Sequence, residues 1–95
     1  LPRGPCWKLA RRLRRPEIIE RVHVTARSGW YMRVLAEGNI ERGQSVVLED
    51  RPHPEWTVAR AYRVYHDRAN DRAAALDLAE CASLARHWKA RLRAV

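Results

Sequence analysis

Trp30-Tyr31-Met32-Arg33-Val34-Leu35 is the stretch on which the fold class turns. Its side chains alternate, with Trp30, Met32 and Val34 on one side and Tyr31, Arg33 and Leu35 on the other, the period-two pattern of a strand. Ser28-Gly29 interrupts the sequence before it, and a polar turn containing Gly38, Asn39 and Gly43 follows. The β-branched run Val46-Val47-Leu48 then predicts a second strand.

Moving outward toward the start, the pattern becomes helical. At about 100° per residue, Leu9, Ala10 and Leu13 share one side while Lys8, Arg11, Arg12 and Arg15 share another, so a helix is expected over 7–15, stopped by Pro16. Ile18, Ile19 and Val22 predict a second helix over 17–23, although Val22-His23-Val24-Thr25 also alternates. Moving outward toward the end, Arg51-Pro52-His53-Pro54-Glu55-Trp56 reads as a linker, because two closely spaced prolines forbid regular helix. Beyond it Thr57 can cap a helix bearing Val58, Ala61, Tyr62 and Tyr65 on one face. Asn70 or Asp71 can open a second helix, alanine-rich from Ala73 to Cys81, and Ser83 a third with Leu84, Trp88, Leu92 and Val95 as its stripe. The expectation is an α+β chain of two parts: residues 1–52 with at least two strands and short helices, and residues 57–95 as a three-helix tail.

Size and composition bound what such a chain can do. A 95-residue domain buries only about 60–65% of its unfolded surface, which argues against a large enclosed site. Lysine and arginine number 19 against 11 acidic residues, a formal charge of +8, and 17 of the 19 are arginine, the side chain suited to bidentate contact with phosphate or carboxylate. Anionic partners and a merely solvated basic surface both fit that balance. Cys6 and Cys81 form neither a disulfide framework nor a zinc cluster, which suggests a reducing, cytoplasmic setting. No apolar run approaches the ~18 residues of a membrane span, and residues 1–15 lack the apolar core of a signal peptide. The first residue is Leu1 and the only methionine is Met32, so sequence upstream is expected.

Cys6 is the first candidate for chemistry. Arg3 precedes it and Arg11, Arg12, Arg14 and Arg15 follow, and nearby positive charge lowers the cost of forming the thiolate that binds soft metals or attacks electrophiles. If helical geometry reaches back to Cys6, the unpaired N–H groups of the first turn act in the same direction. A buried structural cysteine fits the same position. His53 and His66 have no partner at metal-ligand spacing and read as linker and helix-surface residues. Cys81 reads as a small core residue. Trp30 is expected in the core, and Trp56 at the junction between the two parts.

Several of these residues occur in an ordered series. Arg3-Gly4-Pro5-Cys6-Trp7-Lys8-Leu9, then Ala26 to Leu35, then Gly38 to Gly43, then Arg51 to Val58 resemble the second half of a bacterial MOSC domain, the domain shared with the C-terminus of molybdenum cofactor sulfurases. The helical remainder resembles the three-helix tail, called 3-alpha, that follows MOSC in one bacterial branch. The resemblance implies a partial β-barrel-like segment and a molybdenum cofactor (molybdopterin), with Cys6 as catalytic residue and metal ligand or as a carrier of sulfur. It also implies, at family level, pyridoxal phosphate binding. Members with the helical tail are similar to reductases that remove the hydroxyl from small N-hydroxylated compounds with electrons from a redox partner protein.

The phosphate of the pterin gives Arg3, Lys8 and Arg27 a use as cofactor-binding residues, against the alternative of surface ion pairs. Ala10 stands where the family usually has asparagine, and Gln44 where an acidic residue is common. Half a barrel would leave unpaired strand edges and exposed apolar surface, so the chain by itself is expected to be catalytically silent. A basic nucleic-acid-binding module is the competing class, disfavoured because no helix-turn-helix, zinc-finger or aromatic RNA-binding signature is present. No membrane partner is expected.

Overall fold

Thr57 leaves extended backbone and its hydroxyl accepts a hydrogen bond from the Arg60 N–H at 3.1 Å, while the Asp71 carboxylate accepts from the Ala74 N–H at 3.0 Å. Each such cap satisfies a donor that the helix leaves unpaired and is worth about 1 kcal/mol. The computed structural model describes residues 1–94, and in it five helices follow one another: α1 (Trp7–Leu13), α2 (Ile18–Thr25), α3 (Val58–His66), α4 (Arg72–Ala79) and α5 (Arg86–Arg93). α1 ends earlier than its pattern suggests, because Arg14 adopts a left-handed conformation (φ 52°) two residues before Pro16. α2 runs further, to a left-handed, buried Ala26. Ser83 does not cap α5, which opens at Ala85 without a side-chain cap.

The α+β expectation is wrong: among the described residues there are five helices and no strand or sheet, so the fold is all-α and contains no β-barrel-like segment. Neither Trp30 to Leu35 nor Val46 to Leu48 forms a strand. Among the described residues the only β pairing is one isolated antiparallel bridge between Pro2 and Trp30. Around it the Arg3 N–H donates to the Gly29 carbonyl and the Tyr31 N–H to the Leu1 carbonyl, both at 2.8 Å. Alternation supplies two faces but no partner, and a strand exists only through the ladder it forms with another. Both faces of the stretch are instead solvated: Trp30 is 59% exposed rather than in the core, and Tyr31, Met32, Val34 and Leu35 are exposed as well.

The core lies in the three C-terminal helices. Ala61, Tyr65, Ala75, Leu78, Ala79, Leu84, Trp88 and Leu92 are buried together, with Leu1, Trp56, Val64 and Cys81 packed against them. Leu84, Trp88 and Leu92 are the expected stripe; its fourth member, Val95, lies outside the described residues. Tyr65 and Trp88 stack with centroids 3.8 Å apart and planes 13° from parallel, and the Arg91 guanidinium donates to the Tyr65 hydroxyl at 3.1 Å. That bond leaves the hydroxyl paired at the edge of an apolar cluster. Trp56 closes the near end under the Arg60 guanidinium, 4.0 Å from its ring centroid. α2 leans on α3 through Tyr62, whose hydroxyl shares a 3.2 Å hydrogen bond with His23 Nδ1, and through Arg63, which donates to the Thr25 carbonyl at 3.2 Å. Among the described residues no helix is long and apolar enough to cross a membrane.

Candidate functional site around Cys6

Cys6 is the N-cap of α1, with extended backbone (φ −135°, ψ 167°), and its carbonyl accepts from the Leu9 N–H at 3.1 Å and the Ala10 N–H at 3.4 Å. The side chain is exposed and makes no cap hydrogen bond of full geometry. The N–H groups of Leu9 and Lys8 nonetheless face the sulfur, and they hold its pKa below the ordinary 9.0. Desolvation opposes them, and the charges of Arg3 and Lys8 each lower the pKa by less than desolvation raises it. The thiolate is therefore favoured by the peptide dipoles first and by the basic neighbours second.

Two backbone segments form the rest of the site. The Arg3-to-Gly29 hydrogen bond ties the loop before Cys6 to the Ser28-Gly29 turn, and between them and the helices lies a cavity of about 220 Å³. Arg3, Cys6, Leu9, Val22, Ser28 and Gly29 line it. The Ser28 Oγ is buried and has no hydrogen-bond partner, so a polar group is held at the cavity without being used. A Cβ at Gly4 or Gly29 would meet nothing within 4 Å, so neither glycine is required by crowding.

Of the residues singled out in the sequence, Arg3 and Cys6 share this cavity and the other two do not line it. Lys8 lies along a separate groove, its Nζ 5.8 Å from the Trp7 ring. Arg27 follows the end of α2, where its N–H donates to the Thr25 hydroxyl at 3.3 Å. Ser28 as a cavity wall has no signature in the sequence beyond its place in the turn. His53 sits 3.9 Å from Glu55, and among the described residues no three or more His, Cys, Asp or Glu side chains gather as a metal site. His66 joins a cluster that spacing does not reveal: its ring is 5.2 Å from His23 and 4.3 Å from Tyr62.

Comparison with known families covers the segment that holds Cys6 and the Ser28-Gly29 turn. Residues 1–47 match the MOSC domain. Residues 56–94 match the YiiM-like, 3-alpha helix domain, so the MOSC match contains α1 and α2 and the 3-alpha match contains α3, α4 and α5. A protein named "Reductase" from Gibberella moniliformis (strain M3125 / FGSC 7600) is 45% identical over 83 residues, 87% of this chain and 14% of that protein. "Uncharacterized protein YflK" from Bacillus subtilis (strain 168) is 38% identical over 90 residues, 94% of this chain and 40% of that protein. The chain thus spans less than half the length of either relative. No solved structure matches it.

Proposed function

We propose that the chain is the C-terminal part of a bacterial MOSC domain with its 3-alpha tail, from a cytoplasmic, molybdenum-cofactor-dependent oxidoreductase. Cys6 would ligate the metal. The observation that carries this reading is the Cys6 thiol itself: exposed, shifted toward thiolate, and sharing a cavity with Arg3 in the segment that matches MOSC. A soft thiolate suits a sulfur-bound metal, and a guanidinium suits a phosphate. The unpartnered Ser28 Oγ can offer a ligand one further hydrogen bond. The cavity of about 220 Å³ is below the ~300–1,000 Å³ of most small-molecule sites, which supports the view that these residues form one wall of a larger site.

The relative named "Reductase" supports reduction as the reaction class. Bound at Cys6, the cofactor would supply two-electron oxygen-atom chemistry. The proposed overall change converts an N-hydroxylated compound to the parent amine and water, consuming two electrons from a partner protein and two protons. This chain's own residues would hold the metal through Cys6 and orient the phosphate through Arg3, with Lys8 and Arg27 contributing positive charge from outside the cavity. The chain alone would be inactive. Metal analysis of the longer parent protein tests the reading: stoichiometric molybdenum is expected, and Cys6→Ala should abolish both the metal and reductase activity. An exposed thiolate also favours a second reading, a sulfur carrier with a Cys6 persulfide, and a parent protein free of molybdenum but carrying a persulfide adduct on Cys6 would establish that instead.

A further inference from the structure

One face of α1 carries a charge pattern of which the Cys6 site uses only Lys8. Trp7, Lys8, Arg11, Arg12 and Arg14 line an open groove of about 620 Å³. Trp7 is 62% exposed. The ion pairs among the described residues are Arg15–Glu17, His53–Glu55 and Arg93–Glu80, so Lys8, Arg11, Arg12 and Arg14 take part in none. Arg11 and Arg12 lie in the last turn of α1, where they oppose the negative end of the helix dipole, but Lys8 in the first turn and Arg14 beyond the end have no such role. Four cations held beside an exposed indole on one short helix make a surface whose complement is carboxylate-rich.

We propose that this face of α1 docks an acidic segment of a partner protein, with Trp7 as the apolar anchor and the four basic side chains as carboxylate contacts. Tryptophan and arginine are the side chains that most often dominate the energetics of protein interfaces. A nucleic-acid strand fits less well. The seven residues of α1 span about 10 Å, and the groove offers one aromatic ring, whereas strand binding calls for a longer cationic track with successive stacking platforms. The patch also ends at once, where Arg15 pairs with Glu17. Since Cys6 is the N-cap of α1, a segment anchored at Trp7 begins beside the thiol and runs away from it toward Arg14. The docking does not depend on what Cys6 binds, and it is read without metal.

The test is fluorescence anisotropy of a labelled decaglutamate peptide and of labelled ten-nucleotide oligothymidylate, each titrated with the chain at two salt concentrations. Three proteins are compared with the parent: the triple reversal Arg11→Glu, Arg12→Glu and Arg14→Glu; a control triple with the same net charge, Arg42→Glu, Arg51→Glu and Arg86→Glu, at exposed positions elsewhere; and Trp7→Ala. Circular dichroism checks that each remains helical, and the single exposed Trp7→Ala change keeps the test available if the first triple does not fold. Decaglutamate affinity is expected to fall about tenfold or more in the α1 triple, and about threefold or more in Trp7→Ala, with little change in the control. Equal losses in the two triples would reduce the surface to generic attraction by net charge. Tighter binding of oligothymidylate than of decaglutamate would replace the protein partner with a nucleic acid. Unchanged affinity in Trp7→Ala would remove the anchor and overturn the docking mode.

Discussion

At the residue scale, Cys6 differs from Cys81 by environment alone. Cys81 is partly buried and packed against the helical core, while Cys6 is exposed at the start of α1 with the Leu9 and Lys8 N–H groups facing its sulfur. Alkylation by iodoacetamide, followed site by site by mass spectrometry, should therefore modify Cys6 first, with a rate midpoint below pH 9.0. Arg3→Gln should move that midpoint upward by a small amount, because the backbone N–H groups are the larger cause. A Cys6 midpoint at or above 9.0 would contradict this. The thiol and its basic neighbours were legible in the sequence, and so was the nearness of Arg3. The exclusion of Lys8 and Arg27 from the cavity was not, since charge and position along the chain do not say which side of a turn a side chain occupies. The unpartnered Ser28 Oγ was equally hidden, because burial of one atom is set by neighbours distant in sequence.

At the scale of elements, the contact between α2 and α3 carries a titratable cluster. His23, Tyr62, Arg63, His66 and Asp67 line one hollow, and Arg68 lies near. Burial first, then the charges of His23 and Arg68, holds the His66 pKa below 6.5. The unfolded chain therefore binds more protons than the folded one just below that pH, so this contribution to stability is complete above 6.5 and is lost as pH falls through and below it. Thermal unfolding should show a midpoint that declines with acid over that range, and His66→Gln should flatten the decline; identical pH profiles for the two proteins would refute the role of His66. The helices themselves were readable, since caps such as Thr57 and Asp71 and stripes such as Leu84-Trp88-Leu92 act within a few residues. The two expected strands were misread for the complementary reason: the alternation of Trp30 to Leu35 is local, but the pairing that makes a strand is not.

For the whole molecule, the radius of gyration of 15.4 Å and extents of 43 × 36 × 20 Å exceed the ~12 Å radius of a compact domain of this length. In the irregular segment between α2 and α3, Met32, Val34, Leu35, Ile40, Val46, Val47 and Leu48 are between 66% and 99% exposed. So much uncovered apolar side chain marks a contact surface or an aggregation liability. Trypsin should cut first at Arg33 and Arg42, since the Arg51–Pro52 bond resists it, leaving a fragment that holds the helices of residues 57–94 as the longest-lived product. Early cleavage at Arg63 or Arg91 instead would show that the Tyr65–Trp88 core does not outlast the segment before it. The sequence by itself determined the basic charge, the thiol in its cationic setting and the three C-terminal helices, because composition, caps and helical periodicity are properties of the chain over a few residues. Only the tertiary structure decided that the fold is all-α, that Arg3 and Ser28 rather than Lys8 and Arg27 share the cavity of Cys6, and that His23 meets His66. Each of those depends on which distant segments find a partner, and no local pattern encodes that.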